Sequence, residues 1–169
     1  MMNKQTAMEN RLAFTLIELI IVIAIMGIIA AVSYPNFFPA KYGYATKKNA
    51  EGMVYNMREA ISNSQSQLYG YRWGIHLGSS TSTGGYFYEL WYGTSTFPYG
   101  TVFNYTGLDA GLSFSGLSLG STQDLCFAQI TGLPVDCGAG SSTSTSITIT
   151  STAGISKTIT VNSNGSISY

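Results

Sequence analysis

The sequence predicts an α+β chain. A long N-terminal α-helix, membrane-spanning in its first half and amphipathic in its second, packs on an antiparallel β-sheet head that ends in a C-terminal meander. Three observations carry this expectation. Residues 14–32 read FTLIELIIVIAIMGIIAAV, nineteen residues with a single ionisable group, Glu18. After Lys41, apolar residues recur at spacings of three and four, the mark of one helix face. From Tyr69 to Tyr169, short aromatic and β-branched runs alternate with Gly, Ser, Thr and Pro, as strands alternate with turns.

The 169 residues suffice for one domain and an appended segment. Only 9% are charged, with eight basic and eight acidic groups, against roughly 25% in an ordinary soluble protein. Eight scattered cations give no field for a polyanion, so nucleic acid is not indicated by charge. With 45% hydrophobic residues the chain is also no charge-driven disordered segment.

Residues 1–13 form a basic leader, in which Lys4, Arg11 and the amino terminus outweigh Glu9. Positive flanks stay in the cytoplasm, which places the rest of the chain outside it. Residues 14–34 form the spanning helix: nineteen residues give about 28 Å of helix, close to the roughly 30 Å hydrocarbon core. A secretory signal peptide has the same basic start and apolar middle. Its apolar region, however, is only about 7–15 residues long and ends at a cleavage site, whereas this run continues through Tyr34 and Pro35 into a further helical pattern. A carboxylate at the centre of a spanning helix costs about 2.5–3.5 kcal/mol, and less toward an end, so Glu18 invites a functional reading.

Residues 35–68 continue the helix. Pro35 and Pro39 each remove a backbone donor and crowd the preceding turn, which predicts a kink or short unwound stretch near residues 33–40. Met53, Met57, Ala60 or Ile61, Ser64 and Leu68 form the face turned to the head, while Lys41, Lys47, Lys48, Glu51, Arg58 and Glu59 populate the others. A helix from Phe14 to Leu68 would be about 80 Å long. Residues 69–169 form the β-rich head, with strands expected over 72–77, 85–92, 101–105 and 125–130. At its end, Ile147 and Ile149, then Ile155, Ile159 and Val161, then Ile167 and Tyr169 alternate with polar residues. Ala153-Gly154 and Asn162-Ser163-Asn164-Gly165 supply turns between them. This predicts a three-stranded meander with one buried and one hydroxyl-lined face.

The run Ala13-Phe14-Thr15-Leu16-Ile17-Glu18-Leu19, after a short basic leader and before an apolar helix, resembles the class III signal of type IV pilins and type II secretion pseudopilins. The resemblance implies cleavage between Ala13 and Phe14 by a prepilin peptidase and N-methylation of Phe14. It makes Gly27 the family's helix glycine and Pro35 its kink proline. Ala13 departs from the family's usual glycine, for which it is the nearest substitute. The resemblance further implies that Glu18 meets the cationic amine of Phe14, in its own chain or a neighbour's, and so sets the register of assembly. The function implied is that of a structural subunit of a type IV pilus or type II secretion pseudopilus. Its partners would be the bacterial inner membrane, the prepilin peptidase, other subunits and the assembly platform, with no cofactor. KTITVNSNGS (157–166), MREAI (57–61) and GGYFYEL (84–90) are similar to the GspH and FimT group of minor pseudopilins and pilins. A major pilin is the alternative. From a different class, a membrane-anchored binding or adhesion module would use the head's many Tyr and Trp residues.

Cys126 and Cys137, with one His in the chain, cannot build a four-ligand zinc site. Outside the cytoplasm they read as a disulfide contributing roughly 3 kcal/mol; two reduced, buried cysteines are the alternative. Major pilins often close a C-terminal loop in this way, but here a predicted sheet follows Cys137. Catalysis finds little support. His76 reads as a packed or surface histidine, and the many Ser and Thr residues lack an activating base. Asp109, Asp124 and Asp136 are too scattered for a calcium loop. Because some pseudopilins hold calcium in the head, Asp124 or Asp136 stays open as a ligand.

Overall fold

Helix α1 runs Leu16–Gln65 in the computed structural model, which describes residues 14–80, 84–94, 100–115, 123–137 and 144–169, without the side chains of 34–38. The helix passes positions 35 and 39 as one element, so the expected unwound stretch does not divide it. Propagation on both sides outweighs the single donor lost at each proline. The chain separates into two compact units between Phe38 and Pro39. In the first, no residue of Leu16–Ser33 is buried within the protein.

In the second unit, Ala50, Met53, Val54, Met57 and Ala60 form the buried stripe of α1. The stripe packs on two antiparallel sheets. The first has strand order β3-β2-β1-β5-β6, built from β1 (Arg72–Ser79), β2 (Tyr86–Gly93), β3 (Thr101–Gly107), β5 (Asp124–Phe127) and β6 (Pro134–Val135). The second has order β4-β7-β8-β9, built from β4 (Leu112–Ser115), β7 (Thr145–Ser151), β8 (Ser156–Val161) and β9 (Ile167–Ser168). Trp73, Ile75, Leu77, Tyr88, Leu90, Leu125 and Phe127 from the first sheet meet Ile147, Ile149, Ile159 and Val161 from the second in one core. Period-two alternation in β7 puts Thr145, Ile147, Ile149 and Ser151 inside, as a half-buried strand requires.

The outer face of the first sheet is built from aromatic rings laid on glycines. Gly74 faces Trp91 and Gly78 faces Phe87 across the β1–β2 pairing. A Cβ at Gly74 would stand 2.8 Å from the Leu125 carbonyl oxygen and 3.1 Å from the indole, and one at Gly78 would overlap the Phe87 ring. Only glycine leaves room for these rings to lie flat on the neighbouring strand.

The helix stops three residues short of the expected Leu68, and its end is closed from a distance. Ile130 N–H donates to the Ser64 carbonyl (3.1 Å), and Gln65 Nε2 donates to the Thr131 carbonyl (3.2 Å). The buried Ser64 hydroxyl donates to the Phe127 carbonyl (3.2 Å) and accepts from Trp73 N–H (3.0 Å). Ser64 thus belongs to the inner face through its hydrogen bonds, while Leu68 leaves that face in a 3₁₀ turn, Leu68–Gly70. Gln67 (φ 52°), Tyr69 (φ 60°) and Ile130 (φ 70°) are the non-glycine residues with positive φ among the described residues, and all three adjoin this helix end. Each such conformation costs on the order of 1–3 kcal/mol.

Other boundaries also moved. The strand expected over 125–130 ends at Phe127, because Gln129 to Thr131 turn back toward the helix. β8 starts at Ser156, leaving Ile155 outside it, and Tyr169 is exposed instead of lining the buried face. β4 and β6, which no strand pattern announced, complete the two sheets.

Candidate processing and assembly site

The site is the start of α1. Thr15 and Glu18 are three residues apart in the pattern of a capping box, and the side chains close it reciprocally. Thr15 N–H and Oγ1 both donate to Glu18 Oε2 at 2.9 Å, and Glu18 N–H donates to Thr15 Oγ1 at 3.3 Å. Leu19 N–H then donates to the Thr15 carbonyl (3.3 Å), the first turn of the helix. The Thr15-Leu16-Ile17-Glu18 spacing that signals this box stands in the sequence itself. At the third helical position the carboxylate also faces the positive end of the helix dipole. In the uncut chain Phe14 N is a peptide nitrogen, so the ammonium expected to face Glu18 does not yet exist.

Phe14 stands just before the cap, 82% exposed. Ala13, the other half of the expected scissile bond, lies outside the described residues. Beyond the cap, Leu16–Ser33 spans 18 residues, about 27 Å of helix, and every residue of it is exposed within the chain. Ser33, the polar residue at its end, donates Oγ to the Ile29 carbonyl at 2.8 Å, which satisfies the hydroxyl inside the helix. A Cβ at Gly27 would meet nothing within 4 Å. No packing inside the chain therefore calls for glycine there. Pro35 is within α1, and its side chain lies outside the described residues.

The expected residues of the head are placed elsewhere. Cys126 and Cys137 are joined as a disulfide, with Cα atoms 5.1 Å apart, in a small cluster with Trp91 and Val135. Asp124 is buried on β5 and pairs through Oδ1 with His76 Nδ1 at 2.6 Å. Asp109 Oδ2 accepts from Asn49 Nδ2 (2.9 Å) and Lys48 Nζ (3.5 Å), tying the β3–β4 loop to α1. These two aspartates thus hold the fold together. Among the described residues no group of three or more His, Cys, Asp or Glu is placed to hold a metal ion.

Residues 8–34 match the family model described as the prokaryotic N-terminal methylation motif. No curated protein and no solved structure matches the chain. The matched stretch contains Phe14, the Thr15–Glu18 cap and Gly27, so the site at the start of α1 is a prepilin-type N-terminal signal at the head of an α+β chain.

Proposed function

We propose that the protein is a structural subunit of a type IV pilus or type II secretion pseudopilus. It is made as a precursor in the bacterial inner membrane, with the leader cytoplasmic and the head outside. A prepilin peptidase cuts it between Ala13 and Phe14 and methylates the Phe14 amine, and it assembles with other subunits through α1. The observation that carries this reading is a prepilin-type signal continuous with an apolar helical stretch, Leu16–Ser33, in which no residue is buried by its own chain. Such a surface must be covered by lipid or by other helices. Moving from bilayer to filament exchanges one apolar environment for another, and Gly27 leaves space for a neighbouring helix to approach closely.

Within this class the chain reads as a minor subunit of the GspH and FimT group. The stretches that support this lie on the distal part of α1 (57–61), at the start of β2 (84–90) and across β8 and the turn after it (157–166). After cleavage, the Phe14 ammonium lies within a helical turn of Glu18 and gives it a second role, as the charge that fixes axial register.

Gln can replace Glu in a capping box but carries no charge. Glu18→Gln therefore separates the two roles. The variant should insert in the membrane with its helix intact and enter filaments at least about tenfold less than wild type, since a lost charge partner in an apolar bundle is costly. Immunoblots of sheared filaments against the membrane fraction check this, and wild-type incorporation of Glu18→Gln would sink the role given to its charge.

A further inference from the structure

We propose a saccharide-binding face at the end of the head where α1 terminates, which takes a neutral oligosaccharide across a row of three clefts. This site is independent of whether the chain enters a filament.

The row is continuous. A cleft of about 150 Å³ between Tyr92 and Thr101 shares Tyr71, Gly93 and Thr94 with a second of about 130 Å³. The second shares Arg72 and Gln129 with a third of about 170 Å³, which reaches Val135. Each is smaller than the roughly 300 Å³ or more of an enclosed small-molecule pocket. Three small adjoining subsites suit successive units of a linear chain.

One end of the row is aromatic. Tyr71 and Tyr92 line the clefts with ring centroids 5.8 Å apart and an interplanar angle of 25°, Tyr69 flanks them 5.1 Å from Tyr92, and the buried Trp73 supports Tyr92 from the core side at 4.9 Å. The face of such a ring is electronegative, and the C–H face of a pyranose presents the complementary positive edge. Hydrogen-bonding groups line the other end of the row, and the fold fixes them. Arg72 Nη1 donates to the Cys137 carbonyl (3.2 Å), beside the disulfide, and Gln129 Nε2 donates to the Gly70 carbonyl (2.8 Å). A guanidinium has five donors and a glutamine amide also accepts, which matches the hydroxyls of a sugar. One arginine is too little charge to hold a polyanion.

Strain marks the same place. Tyr69 adopts φ 60° and ψ 8°, a conformation suited to glycine, yet the residue is 59% exposed. A bulky residue held in a left-handed conformation to display an exposed ring is a feature of functional sites, where surrounding structure offsets the strain.

The test uses the full chain in a detergent without sugar groups, titrated with cellohexaose, maltohexaose and chitohexaose and followed by tyrosine and tryptophan fluorescence. At least one should bind saturably. Tyr69→Gly and Tyr71→Ala should each weaken it about tenfold or more. Because glycine relieves the positive φ, Tyr69→Gly should melt no lower than wild type. No saturable binding at millimolar hexasaccharide overturns the proposal, as does unchanged affinity in both variants. Tighter binding of a dT12 oligonucleotide, or oligomerisation that both variants abolish without any saccharide effect, would assign the face to another partner and overturn it equally.

Discussion

Glu18 closes the first turn of α1 within its own chain. Its cost in an apolar run was legible, and so was its place in a known type of signal. What the structure adds is that Thr15 already satisfies the carboxylate through two hydrogen bonds, so the residue starts the helix before it has any partner in another chain. Tyr88 is a residue-scale feature that sequence did not expose. It reads as one more aromatic in a strand, yet burial pushes its phenol above the ordinary value of 10.0, partly offset by hydrogen bonds with Thr106 and Asn56. Above that pH the unfolded chain loses a proton that the folded chain keeps. The stability Tyr88 contributes is therefore complete below about pH 10 and lost as pH rises further. Urea unfolding between about pH 8 and pH 11 should show this decline, and Tyr88→Phe should flatten it while costing about 1–2 kcal/mol at neutral pH through its lost hydrogen bonds. Ser64→Ala should cost about 1–3 kcal/mol in the same assay, because it leaves a buried Trp73 N–H and Phe127 carbonyl without their partner.

At the scale of elements, periodicity identified what repeats over many residues and missed what depends on distant pairing. The stripe Met53, Met57 and Ala60 and the alternation of Ile147, Ile149, Ile159 and Val161 were readable because each element buries one face. β6 has two residues and exists only because β5 lies beside it, and β4 offers one short LSFS run. The end of α1 was misplaced for the same reason: a loop some 65 residues away, carrying Ile130 and Thr131, closes it. The glycines of β1 appeared as punctuation, but they are seats for Trp91 and Phe87. Gly74→Ala should therefore destabilise the head by about 1–3 kcal/mol, since the Leu125 backbone cannot withdraw. Gly27→Ala should leave the same melting transition unchanged, having no neighbour to displace. Reduction of Cys126–Cys137 should cost about 3 kcal/mol by chain entropy, measurable as a lower urea midpoint with reductant.

For the whole molecule, low charge and an exposed apolar helix belong to one physical description. Sixteen charged residues are spread over 169, and several are already engaged, as Lys47 is with Glu51 and Lys48 with Asp109. Copies of such a head repel each other weakly, and helices that bury nothing alone gain most from packing together. The N-terminal signal and the apolar start of α1 were legible because each is written in consecutive residues. The site on the head was not, since Tyr69, Tyr71, Arg72, Tyr92 and Gln129 come together only through turns and cross-strand pairing. On the proposed function, the segment ending at Ala13 is removed and Phe14 becomes a methylated amino terminus. The most direct test is intact-mass and N-terminal fragment analysis of the full chain, expressed in bacteria with and without a prepilin peptidase. With the peptidase, the chain should begin at N-methylated Phe14, and without it residues 1–13 should remain. A chain that keeps its leader in the peptidase's presence, or is cut at any bond other than Ala13–Phe14, would rule out the proposed processing.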